Sequence, residues 1–151
     1  MRLSVIIITR NEASNIADCL ESVRFADEII VLDSGSDDDT VEIARRHGAR
    51  VTVAPDWPGF GPQKNRALDL ATGDWVLSLD ADERVTPELA GAIAQVLRQP
   101  EHDAYDMPRL SSFCGRFIRH SGWWPDRVLR LFRRGSARFS DDGELLDVQR
   151  F

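Results

Sequence analysis

Apolar positions follow two alternating rhythms over roughly the first 100 residues of this chain. Leu3 to Ile8 is apolar and β-branched apart from Ser4, the pattern of a strand covered on both faces of a parallel sheet. Ile16, Cys19, Leu20 and Val23 then fall at i, i+3, i+4 and i+7, one stripe of a helix. Glu28 to Leu32 is a second short strand. Val41 to His47 is a short helix that Ser36 or Asp37 can cap and Gly48 can end. Arg50 to Ala54 is a third strand. The run Pro55-Asp56-Trp57-Pro58-Gly59-Phe60-Gly61-Pro62 reads as a loop. A helix over 63–71 stops at Gly73, and Asp74 to Leu79 is a fourth strand. Thr86-Pro87 starts a helix whose apolar positions are Leu89, Ile93, Val96 and Leu97. Asp103 to Met107 and Val128 to Phe132 are further strand candidates. This alternation predicts an α/β fold with a mainly parallel central sheet flanked by helices, joined by right-handed crossovers.

Ligands of such sheets bind beyond the carboxyl ends of the strands. The polar clusters of this chain lie there: Thr9 to Glu12 after the first strand, Asp33 to Asp39 after the second, Asp80 to Glu83 after the fourth. One binding crevice accounts for all three, whereas solvated turns must be invoked three times. The last cluster is the most informative. In a regular strand alternate side chains share a face, so a strand running into Asp80-Ala81-Asp82 sets two carboxylates together at its open end. They repel each other and lose solvation. A divalent cation removes both penalties and would neutralise a diphosphate. The same residues also read as an acidic turn before the next helix.

Rival motifs fail. Gly59-Phe60-Gly61-Pro62-Gln63-Lys64 lacks the third glycine of a dinucleotide fingerprint and does not follow the first strand. A phosphate-loop GK[ST] is absent. In a calcium loop starting at Asp33 the final glutamate would fall on Ala44. His47 reads as structural, His102 as surface, and His120 lies in an arginine-rich segment.

Composition sets the scale. With 151 residues and 42% apolar content, the chain makes at most one soluble globular domain. Cys19 and Cys114 are far apart and show no CxxC spacing, so both are expected reduced, in a cytoplasmic protein. Leu3 to Ile8 is followed by Thr9-Arg10-Asn11-Glu12 rather than a small-residue cleavage site, which argues against a signal peptide. No run has the length of a membrane span. The net charge of −6 conceals an asymmetry. Residues 1–108 carry ten Lys and Arg against 20 Asp and Glu, whereas residues 109–138 carry eight Arg against Asp126 alone. That basic stretch reads equally as solvated strand edges or as a face for an anionic partner, such as a phosphorylated acceptor or a membrane surface. The acidic whole and the lack of a reading motif argue against nucleic acid.

Four motifs now form a set: Val5-Ile6-Ile7-Ile8-Thr9-Arg10-Asn11-Glu12, Val31-Leu32-Asp33-Ser34-Gly35-Ser36-Asp37-Asp38-Asp39-Thr40, Gln63-Lys64-Asn65-Arg66-Ala67-Leu68 and Leu79-Asp80-Ala81-Asp82-Glu83. In order and spacing they resemble family 2 glycosyltransferases. Gly122-Trp123-Trp124-Pro125-Asp126 and Arg130-Leu131-Phe132-Arg133-Arg134 are similar to the subgroup that glucosylates the lipopolysaccharide inner core. The resemblance implies a GT-A nucleotide-diphospho-sugar transferase fold and inverting transfer from a nucleotide-sugar donor, such as a UDP-hexose, to an anionic glycan or glycolipid acceptor. Peripheral contact with the inner face of the membrane would accompany such an acceptor. It implies that Thr9, Asn11, Glu12, Asp33, Lys64 and Asp80 line the nucleotide pocket and that Asp80 and Asp82 hold Mg2+ or Mn2+. Asn11 could equally cap a helix and Lys64 could be solvated. Trp123 and Trp124 stack on an acceptor sugar or pack in the core. The subgroup continues past Asp142 with a Val-His-Glu-like segment, where this chain reads Gly143-Glu144-Leu145-Leu146-Asp147-Val148-Gln149-Arg150-Phe151. The ending therefore looks truncated, and Asp141 or Asp142 is the candidate general base. The expected organisation is a nucleotide-sugar half over 1–100, a partial acceptor-side segment over 101–142, and a divergent, poorly ordered tail over 143–151.

Overall fold

The structure is a computed structural model that describes residues 2–108, 127–141 and 145–147. In chain order the elements are β1 (Leu3–Thr9), α1 (Ile16–Ser22), β2 (Glu28–Asp33), α2 (Thr40–Arg46), β3 (Arg50–Val53), α3 (Phe60–Leu70), β4 (Trp75–Ser78), α4 (Pro87–Arg98), β5 (Ala104–Pro108), β6 (Arg127–Arg133), β7 (Ala137–Phe139) and β8 (Leu145–Asp147). Six strands form one sheet in the order β3-β2-β1-β4-β6-β5, and β7 pairs with β8 in a second, two-stranded sheet. The first four strands are parallel; β6 runs antiparallel to both β4 and β5.

The apolar run of β1 follows from its place at the centre. Leu3, Val5 and Ile7 pack with Ile16, Cys19 and Leu20 of α1, Ala44 of α2 and Ile93 of α4. Ile6 faces the other way, against Ala67 and Leu68 of α3, Phe132 of β6 and Phe139 of β7. Ser4, the exception in the run, donates to the Glu28 carboxylate at 2.7 Å and accepts from the Gly73 amide at 2.9 Å, so its hydroxyl is buried without loss. Thr86 caps α4 by accepting from the Leu89 amide at 3.2 Å, as Thr-Pro predicts.

Four expectations change. α3 starts at Phe60, inside the Pro/Gly-rich run, because Gly59 supplies φ +116° ahead of it and Pro62 lies in the first turn, where its missing N–H has no partner to lose. α2 is preceded by Asp39; Ser36 and Asp37 serve loop contacts instead of capping it. β4 ends at Ser78, and the Asp80 carbonyl accepts from the Glu83 amide at 2.9 Å, so the two aspartates are presented by a turn and not by one face of a strand. Leu145–Asp147, expected to be loose, pairs with Ala137–Phe139. Among the described residues no helix is long and apolar enough to cross a membrane.

Candidate active site

Strand order reverses between β1 and β4: β2 and β3 lie on one side of β1, β4 on the other. The crevice beyond the carboxyl ends of β1 and β4 is the switch point where α/β sheets accept ligands. Thr9 and the turn after Leu79 stand on its two sides, tied by the Leu79 amide donating to the Ile6 carbonyl at 3.1 Å.

One wall is built by stitching two loops together. Thr9 pairs in register with Asp33 and donates its hydroxyl to Asp33 Oδ1 at 2.7 Å. The Ser36 hydroxyl donates to the same oxygen at 2.6 Å, while the Gly35 and Ser36 amides donate to Oδ2 at 2.9 and 2.7 Å. All four acceptor positions of this fully buried carboxylate are thus occupied from within the protein. Burial pushes the Asp33 pKa up, but the Ser36, Thr9 and Gly35 hydrogen bonds outweigh it and hold the group below the usual carboxylate range. Asp33 therefore shapes the loop from beneath. Asn11 sits at φ +54°, a left-handed conformation asparagine tolerates. Its amide donates to Ser36 Oγ at 2.8 Å and its Oδ1 accepts from the Asp37 amide at 2.8 Å. Asn15, not Asn11, precedes α1. The Glu12 amide donates to Thr40 Oγ1 at 2.9 Å and the Ala13 amide to Asp38 Oδ2 at 3.2 Å, and the Glu12 carboxylate accepts from Asn15 at 3.1 Å.

The other wall is the turn at 80–83. Asp80 is half-buried and Asp82 exposed, while Glu83 is turned inward at 3% exposure. Glu83 meets Arg130 of β6 in a two-pronged ion pair at 2.5 and 2.6 Å. The Asp80 carbonyl lies 3.6 Å from the Cys19 thiol, which is buried and free; burial first, then the nearby Glu83 charge, pushes that thiol up to about 12. Carboxylate oxygens suit a hard cation such as Mg2+ or Mn2+. Among the described residues no three His, Cys, Asp or Glu converge. A cation held by Asp80 and Asp82 would thus complete its shell from a diphosphate and water, so the donor set fits a shared ion.

α3 also opens at this end of the sheet. Lys64 Nζ lies over the Phe139 ring, 5.4 Å from its centroid. Asn65 behaves as an extra strand partner: its side chain donates to the Phe139 carbonyl and accepts from the Phe139 amide, both at 2.9 Å. That bond pair brings β7 to α3 and sets Asp141 at the helix start, where its carbonyl accepts from the Gly61 amide at 3.4 Å. A Cβ at Gly61 would collide with the Ser140 carbonyl and lie 2.9 Å from Asp141 Cα. Asp141 itself is exposed. Asp142, Trp123 and Trp124 lie outside the described residues.

Sequence reasoning quoted Gly61, Asn65, Glu83 and Arg130 within motifs but gave none of them a role of its own. The last two are 47 positions apart, and nothing in the sequence paired them. Four arginines of the basic stretch have partners within the fold. Arg130 is buried against Glu83, Arg133 covers Trp75 at 4.9 Å and pairs with Asp103, Arg134 donates to the Gly73 carbonyl, and Arg138 pairs with Asp69. These four are occupied within the fold.

The comparisons agree with one another. The profile of Glycosyl transferase family 2 matches residues 4–148. An uncharacterized glycosyltransferase of Rickettsia typhi is 43% identical over 144 residues, covering 93% of this chain and 49% of the relative. A lipopolysaccharide core biosynthesis glycosyltransferase of Rhizobium meliloti is 31% identical over 148 residues, covering 91% and 53%. The crystal structure of S. aureus TarS with UDP-GlcNAc superposes with TM-score 0.70 at 21% identity, over 94% of this chain and 49% of that one. Glucosyl-3-phosphoglycerate synthase from Mycobacterium tuberculosis, solved with Mn2+ and UDP, gives TM-score 0.57 at 33% identity, over 66% and 40%. The chain spans about half or less of the length of these curated relatives.

Proposed function

The chain belongs to glycosyl transferase family 2 and has the GT-A fold, and on that premise we propose that it moves a sugar from a uridine diphosphate donor to an envelope glycan acceptor, with inversion at the anomeric carbon. The observation that carries this reading is the crevice at the β1/β4 switch point, with a rigid hydrogen-bonded wall on one side and an acidic turn on the other. Thr9, Asn11 and Glu12, braced by Asp33, shape the nucleoside side, and Lys64 faces the donor from α3. Asp80 and Asp82 would hold Mg2+ or Mn2+, which supplies charge stabilisation to the departing diphosphate. In this reading Asp141, whose backbone is held at the start of α3, takes the proton of the acceptor hydroxyl as general base, with Asp142 beside it in sequence as the alternative. Trp123 and Trp124 belong to the acceptor side of this reading.

The acceptor is drawn from the Rhizobium meliloti relative, whose name places it in lipopolysaccharide core synthesis. Such an acceptor is anionic and membrane-bound, and its donor is cytoplasmic. Contact with it is assigned to the arginine-rich stretch over residues 109–138. The test is release of UDP from a panel of UDP-sugars, with Mn2+ or EDTA and with or without deacylated lipopolysaccharide core. Metal-dependent release that rises with acceptor supports the proposal. Metal-dependent binding without release would reduce the chain to a donor-binding domain.

A further inference from the structure

The turn at Asp80–Glu83 places three carboxylates within four residues, and the fold sorts them: Asp80 is half-buried, Asp82 is exposed, and Glu83 is drawn into the protein. The sorting agent is Arg130. Its Nη1 and Nη2 meet the two Glu83 oxygens, and Nη1 also donates to the Ser78 carbonyl at 3.2 Å, where β4 ends. Glu83 Oε1 in turn accepts from the Asp80 amide at 2.8 Å. A guanidinium on an antiparallel neighbour strand thus fixes the strand end, the inward carboxylate and the backbone of the first aspartate together.

Stability alone does not account for this pair. Arg130 is 4% exposed and Glu83 3%, and the Arg130 Nε–H is buried with no hydrogen-bond acceptor among the described residues. A buried ion pair of this kind is no more stabilising than apolar residues of similar size. We propose that Arg130 is a positioning residue for the donor site: through Glu83 it locks the Asp80-Ala81-Asp82 turn in the one arrangement that presents both aspartates to a divalent cation. The inference rests on the donor-site reading above. It assigns no contact between Arg130 and substrate.

The test uses the whole chain and Mn2+ with UDP, read by electron paramagnetic resonance of free Mn2+ and by calorimetry of UDP binding. Replacing both partners (Arg130→Met with Glu83→Leu) keeps the interior filled and leaves no lone charge. This double variant is expected to fold, to melt below the parent because the Asp80 amide and the Ser78 carbonyl lose a partner, and to bind UDP without metal as the parent does. Its Mn2+ affinity in the presence of UDP should fall by at least ~10-fold, the loss typical of removing a partner that orients a metal ligand. Should the double variant fail to fold, Arg130→Lys decides: it keeps the charge and removes the fork, and a smaller loss of Mn2+ affinity at parental melting temperature is expected. Parental Mn2+ affinity in whichever folded variant is measured overturns the inference. A parent that binds UDP with no metal dependence overturns the donor-site reading, and the inference with it.

Discussion

Asp82 and Asp33 are both acidic residues at strand ends, and the structure gives them opposite tasks. Asp82 is exposed and makes no hydrogen bond or ion pair among the described residues, so Asp82→Asn should leave stability unchanged within ~0.5 kcal/mol. It should abolish the gain in UDP affinity that Mn2+ confers; equal metal-dependent affinity in calorimetry would remove Asp82 from the site. Asp33 is buried beneath four donors, so Asp33→Asn should cost on the order of 2 kcal/mol at neutral pH, because an amide cannot accept from all of them. Its folded pKa is depressed, so the carboxylate's contribution is complete above the unfolded value of 3.8 and is lost as pH falls through the lower folded value. Urea melts of parent and variant should therefore converge as the pH falls progressively below the unfolded value of 3.8, and a gap that persists in strong acid would mean that charge is not what Asp33 supplies. The sequence marked both residues as polar punctuation after strands. It could not separate them, because the difference lies in Thr9, Gly35 and Ser36 folding over one and not the other.

At the scale of elements, the contact between α3 and β7 connects the donor crevice to the proposed base. Gly61 shows the conflict between local and tertiary demands. Alanine in a helix interior is ordinarily favoured over glycine by roughly 0.5–1 kcal/mol. Here its Cβ would push Ser140 and Asp141 away from the helix start. Gly61→Ala should therefore lower the transfer rate at least ~10-fold, since a displacement of about 1 Å can cost more than that, while UDP affinity stays at the parental level. An unchanged rate would show that Asp141 does not act from this position. Asn65→Ala should free β7 from α3 and cost roughly 1–3 kcal/mol for two backbone groups left without their partner; denaturant unfolding measures it. The helical stripe of α3 was readable from Ala67 and Leu68, but its start was hidden, because Pro and Gly spell a loop unless the position of Pro62 in the first turn is known. β7 and β8 are three residues each, too short to show an alternating pattern.

Over the whole molecule, the alternation of apolar runs and stripes was enough to predict a mainly parallel sheet, because β1 and β4 are buried on both faces and their few polar residues, Ser4, Thr9 and Ser78, leave the apolar runs legible. The convergence of three strand ends was legible for the same reason: it follows from topology, not from side-chain detail. What stayed hidden were pairings across long sequence separations, such as Arg130 with Glu83, and these decide how the arginine-rich stretch is used. The fold also offers a rival at its other end. A cavity of about 410 Å³ at the amino ends of the strands is lined by Arg2, Arg24, His47 and Arg50. Its basic side chains are largely answered internally, Arg24 and His47 by Glu21 and Arg50 by Glu28. The most direct test of the account is amide hydrogen exchange of the chain with and without UDP and Mn2+. Protection is predicted within residues 9–13, 33–40 and 80–84, the three loops at the carboxyl ends of β1, β2 and β4. Protection that instead gathers around Arg2, Glu28 and Arg50, with those three loops unchanged, would contradict it.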